Sequence, residues 1–127
     1  MMKDQDNTML KILYSDRVQG YAAFANQHFS AGDVVLQLDA SNISSVPSQK
    51  SIRVMEGVHA TDKWGAYINH SFSPTTYVDK WIVRAIRDIH QGEEITFDYN
   101  KSEGSLAVPF TDKETCERVT GNRFLRY

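Results

Sequence analysis

The segment Gly92-Glu93-Glu94-Ile95-Thr96-Phe97-Asp98-Tyr99 decides how the rest of this chain is read. Gln91-Gly92-Glu93-Glu94 is a turn, and it leads into a short strand, Ile95 to Tyr99, rich in β-branched and aromatic residues. Glu93 and Glu94 are adjacent, so on a strand their carboxylates point to opposite faces and cannot act as a pair. They read as turn and surface residues.

Working outward, the same alternation of short strand and turn recurs. Trp81 to Ile86 is a strand. Ser51-Ile52-Arg53-Val54-Met55 alternates polar and apolar with period two, as a half-buried strand should. Ser41 to Ser51, which contains Pro47, reads as a loop, and Trp64 to Ile68 as one short helical turn. Val34 to Leu38 follows the turn Ser30-Ala31-Gly32-Asp33. Leu10 to Tyr14 and Tyr21 to Ala25 flank a turn at 16–20, and Lys113 to Val119 reads as a short helix. With no repeat or interior linker, the sum is a β-rich single domain preceded by a polar, frayed tail at 1–9.

The bulk properties bound the function. The 127 residues, 41% hydrophobic and 24% charged, supply one core and leave little room for a second domain. A net charge of −2 without a dense basic stripe argues against direct nucleic-acid binding. The single cysteine, Cys116, excludes an internal disulfide and points to a reducing compartment. No apolar run approaches a membrane span, and MMKDQDNTML at the start has no apolar core of the kind a secretion signal needs, so none is expected. Cytoplasmic is the default expectation, with nuclear or host-chromatin targeting left open.

Two further segments join the octapeptide. Gly20-Tyr21-Ala22-Ala23-Phe24-Ala25 precedes Ala31-Gly32-Asp33-Val34-Val35, and Ile68-Asn69-His70-Ser71-Phe72-Ser73-Pro74 lies between. In this order the three resemble the signature segments of SET-domain protein-lysine methyltransferases: the glycine motif, Asn-His-Ser-Cys-x-Pro-Asn, and Gly-Glu-Glu-Leu-Thr-Phe-Asp-Tyr. The resemblance covers about residues 11–100. It implies a mainly β SET-domain (β-clip) fold of several short strands and small sheets, with a knot-like C-terminal crossing and few short helices. The SET domain is expected at 10–108, and a post-SET-like segment without zinc cysteines at 109–127.

The resemblance also implies the chemistry. S-adenosyl-L-methionine would donate a methyl group to a lysine amine of a protein or peptide substrate. Tyr99 would be the catalytic phenol, and Gly20, Tyr21, Asn69, His70 and Phe110 the cofactor contacts, His70 mainly through its backbone. Phe97, Tyr67 and Tyr77 would line the substrate channel. Each has a plainer alternative: a strand-end tyrosine, a locally satisfied Asn-His-Ser turn, a hairpin glycine, or core aromatics. No metal is expected, because Cys116 alone cannot build a four-ligand zinc site and the four histidines have no close metal-ligand spacing.

The sequence departs from the family at several positions. Ala22 replaces the second glycine, and Phe72 and Thr75 replace the Cys and the closing Asn of the central motif. Lys50 stands where related chains often have a channel-lining Tyr, and a cation there opposes an incoming lysine unless it turns to solvent. These changes motivate the rival expectation, a catalytically silent SET module that binds a peptide or only the cofactor. A homodimer, which some minimal relatives use to recruit substrate, is a further possibility.

Overall fold

The structure, a computed structural model, describes residues 9–48, 50–102, 110–111, 115, 117–119 and 121. Residues 1–8 of the polar tail read at 1–9, Cys116, the side chain of Phe110, and the C-terminal residues 122–127 lie outside the described residues.

β1 (Leu10–Ser15) and β2 (Gly20–Ala25) form an antiparallel hairpin in full register from Leu10↔Ala25 to Ser15↔Gly20. β3 (Val34–Gln37) leads to β4 (Ile43–Ser44), β5 (Ile52–Met55) and β6 (Val58–Ala60), and the last three make a sheet in the order β4-β6-β5. A 3-10 turn (Gly65–Tyr67) precedes β7 (Asn69–His70), and β8 (Thr76–Asp79) and β9 (Ile82–Ala85) then join β3 in the order β3-β9-β8. β10 (Thr96–Phe97) pairs in parallel with β7. One helical turn, α1 (Tyr99–Ser102), and the pair β11 (Phe110–Thr111) and β12 (Arg118–Val119) follow. The inward faces share one core that includes Leu10, Phe29, Val35, Ile52, Ile68 and Ile95.

Two turns of matching chemistry hold the scaffold beneath the site. In Ser30-Ala31-Gly32-Asp33 the acidic side chain accepts the Ser30 N–H at 2.8 Å, and in His90-Gln91-Gly92-Glu93 Glu93 accepts the His90 N–H at 2.8 Å. Both glycines are left-handed, with φ of 87° and 93°, which a side chain would oppose. Phe29 and Ile89, just before the turns, exchange both backbone hydrogen bonds and so set the turns side by side. Hydrogen bonds from Arg87, reinforced by the His90 N–H, pull the Glu93 carboxyl down to about 2.

Several expectations are corrected. The stretch read as a loop from Ser41 to Ser51 holds the two-residue strand β4. Thr76–Asp79 adds a further strand, β8, whose hairpin to β9 turns at Lys80, a non-glycine residue at φ 53°, a turn that no glycine or proline marks. Residues 118–119 are strand rather than the end of a helix. Tyr99 opens a helical turn instead of closing a strand, because Asp98 caps it: the Asp98 carboxylate accepts the Asn100 N–H at 2.9 Å and its carbonyl accepts the Lys101 N–H at 3.0 Å. β5 is buried on both faces, since Arg53 is covered as well as Ile52 and Val54.

Candidate active site

β7 and β10 are each only two residues long, so a parallel pair of this size needs help from side chains. Their register is Thr96↔Asn69 and Phe97↔His70, and the Ser71 N–H continues it to the Phe97 carbonyl at 3.2 Å. Beside it, Thr75 and Thr96 exchange backbone N–H to hydroxyl bonds of 3.1 and 3.0 Å. The Thr75 and Thr76 hydroxyls donate to the Glu94 and Thr96 carbonyls at 3.1 and 2.6 Å. All three threonines are buried, which makes these bonds matter more than exposed ones. Thr75, a departure from the motif, is thus matched to Thr96 as a lock across the crossing.

The lock delivers Tyr99 to the residue before Asn69. The Tyr99 hydroxyl donates to the Ile68 carbonyl at 2.6 Å, and its backbone N–H ends on His70 Nδ1 at 3.0 Å. Since Nδ1 accepts, it carries no proton, and the imidazole proton is on Nε2. In this tautomer the 3.8 Å approach of Nδ1 to Asp98 is not an ion pair. The buried His70 ring stands edge-on to Phe72 and Tyr99, with centroids 4.3 and 5.3 Å away. Phe97, also buried, lies 4.8 Å from the Tyr99 ring.

The glycine motif reaches the same place. Asn69 Nδ2 donates to the Tyr21 carbonyl at 3.2 Å, which fixes the amide orientation and turns Oδ1 the other way. Arg17, in the β1–β2 turn, clamps the crossing from outside. It meets Glu94 through two hydrogen bonds of 2.9 and 2.7 Å and donates to the His70 carbonyl at 3.3 Å. Glu94 is therefore a half-buried anchor, which corrects its reading as a plain surface residue. Glu93 turns instead to Arg87, so the two adjacent carboxylates do work apart.

Tyr67, one residue before Ile68, lies on a turn built by Asp62. That buried carboxylate accepts three backbone N–H groups, from Asp39, Trp64 and Gly65, at 2.7 to 2.8 Å. Gly65 is tightly packed there: a Cβ would fall 3.0 Å from Ile52 and 3.1 Å from Leu38, so both side chains would have to give way. Nothing in the residue types around Asp62 singled it out, since its partners are backbone groups.

Of the residues singled out from sequence, Asn69, His70, Phe97, Tyr99 and the Tyr21 carbonyl meet directly; Gly20 is adjacent in the chain to Tyr21, and Tyr67 to Ile68, whose carbonyl accepts the Tyr99 hydroxyl. The Tyr21 ring stands exposed against Tyr14, 6.0 Å between centroids. Tyr77 is not brought to the site: it is exposed on β8, beside Arg84, while its buried neighbour Thr76 faces β10. Phe110 is seen only through its backbone pairing with Val119.

Comparison with known proteins adds an independent line. A family model described as SET domain matches residues 20–100. A Candida albicans protein named "Histone-lysine N-methyltransferase, H3 lysine-36 specific" is 49% identical over 78 residues, 52% of this chain and 9% of its own length. Proteins of the same name are similar in Saccharomyces cerevisiae, 52% identical over 42 residues (27% of this chain, 6% of that protein), and in Eremothecium gossypii, 38% over 80 residues (54% and 12%). The chain thus spans about a tenth of the length of these relatives.

Proposed function

The chain belongs to the SET-domain family, and from that membership we propose that it is a protein-lysine N-methyltransferase that takes its methyl group from S-adenosylmethionine. The observation that carries the reading is the crossing itself, where Asn69 and Tyr99 are drawn together through Ile68 and His70.

The residues present suit the cofactor. Asn69 spends its amide N–H on Tyr21, which leaves Oδ1 as an acceptor for an ammonium group such as the methionyl amine. Neither packing nor a left-handed φ requires glycine at position 20. A Cβ there would meet only the Val18 carbonyl, at 4.0 Å, so the backbone at Gly20 is open to an approaching ligand. Gly20, Tyr21 and His70 would contribute backbone groups around it. When bound, S-adenosylmethionine supplies an electrophilic methyl group on a sulfonium.

The chain's own residues prepare the acceptor. A lysine amine has a pKa of about 10.4 and must be neutral to attack. Apolar surface from the buried Phe97 and the Tyr99 ring beside it disfavours the ammonium form by excluding water. The Tyr99 hydroxyl proton is engaged by the Ile68 carbonyl, so its oxygen offers lone pairs to an amine N–H and aims the amine's own lone pair. No strong base is required for this, only orientation and desolvation.

Transfer of labelled methyl groups to a panel of lysine peptides tests the proposal, with Tyr99→Phe as the control. Label on lysine that falls by about a hundredfold or more in the variant supports it. Transfer that survives the substitution unchanged removes Tyr99 from the mechanism.

A further inference from the structure

Lys50 stands at the entrance to β5 with its ammonium over the Tyr67 ring, 5.1 Å from the centroid. Lys63 takes the same position over Trp64 at 5.6 Å. Trp64 and Tyr67 are three residues apart across a 3-10 turn, a spacing that stacks side chains on one face. Two ammonium groups therefore border one aromatic ledge. That ledge adjoins the site, because Tyr67 precedes the Ile68 carbonyl that holds Tyr99, and β5 packs against α1, which opens with Tyr99.

The carboxylates of the crossing and of the turn that supports it are already engaged. Asp62 is buried and accepts three backbone N–H groups, Glu94 is paired with Arg17, and Asp98 caps α1. Lys50 is exposed and has no ion-pair partner among the described residues. A cation held by an aromatic face keeps its charge and most of its hydration. It repels a second cation and attracts a carboxylate brought within a few ångströms.

We propose that Lys50 sets the substrate class: the acceptor lysine lies in an acidic peptide context, with Asp or Glu beside it, and basic flanks are disfavoured. This rests on the methyltransferase reading and adds to it the chemistry of the partner. An exposed pair of this kind changes kcat/KM by about two- to fivefold, and exchanging an attractive flank for a repulsive one compounds to about five- to twentyfold at low salt. Raising the ionic strength shrinks the difference, because the charges are solvent-exposed.

The test compares the full chain with Lys50→Gln and Lys50→Glu on a lysine-centred peptide library whose flanking positions are Glu, Gln or Arg. Methyl transfer is read as kcat/KM at low and high salt, and melting temperatures check the fold of each variant. The expected order is Glu over Gln over Arg for the wild type, flat for Lys50→Gln and inverted for Lys50→Glu, with the spread narrowing in salt. An order that is the same in the wild type and Lys50→Glu overturns the inference while leaving the methyltransferase reading in place. Absence of transfer to every peptide by every folded variant overturns both.

Discussion

The Tyr99 hydroxyl donates a 2.6 Å hydrogen bond to the carbonyl of Ile68, a residue 31 positions earlier and fully inside the core. Tyr99→Phe removes the donor and leaves that carbonyl unpaired. The expected cost is about 1–3 kcal/mol of stability, read as a lower urea midpoint with an unchanged slope. A variant as stable as the wild type would mean that the bond is not formed in solution.

Arg17 and Glu94 join the first hairpin to the Gly92 turn, with side-chain exposures of 25% and 13%. A bidentate, partly covered pair of this type couples more strongly than a surface one. A double-mutant cycle with Arg17→Met and Glu94→Gln is expected to give a coupling of about 1–2 kcal/mol. Additive single effects would show that the clamp contributes nothing as a pair.

His59 lies opposite Arg53 on β6, and both are buried. Burial, and then the Arg53 charge, lower the His59 pKa below its ordinary value of about 6.5. A folded pKa below the unfolded one means that the stabilisation is complete above about pH 6.5 and is lost as pH falls through the lower folded value. Urea midpoints at pH 8 and pH 5 are therefore expected to drop further for the wild type than for His59→Gln. Parallel profiles would contradict this.

Gly65→Ala places a methyl group 3.0 Å from Ile52, 3.1 Å from Leu38 and 3.3 Å from Asp62. Overpacking of this kind costs about 1–3 kcal/mol, and the melting temperature is expected to fall. The strain falls on the turn that carries Tyr67, so a neutral result would show that this turn is more pliable than its contacts imply.

Much of this was legible in the sequence because local chemistry announced it. Gly20, Gly32 and Gly92 marked turns, β-branched runs marked β3 and β9, and the Asn-His-Ser and Phe-Asp-Tyr segments identified the crossing. What escaped depends on contacts between distant residues. No local pattern shows that Glu94 meets Arg17 across 77 positions, or that Thr75 and Thr96 exchange hydroxyl bonds. β4 is two residues long and lies beyond any periodicity. His70 offered its type but not its geometry: its ring accepts the Tyr99 N–H, a role set only once β7 and β10 align. Tyr77 carries the right side chain on a strand whose alternation turns it away from the crossing.

The most direct test is calorimetric titration of the chain with S-adenosylhomocysteine, the wild type beside Asn69→Ala. Binding at one site per chain is expected, weakened about tenfold or more in the variant while its melting temperature stays within a few degrees. No heat of binding to the folded wild type at high micromolar ligand would contradict the site built around Asn69 and Tyr99.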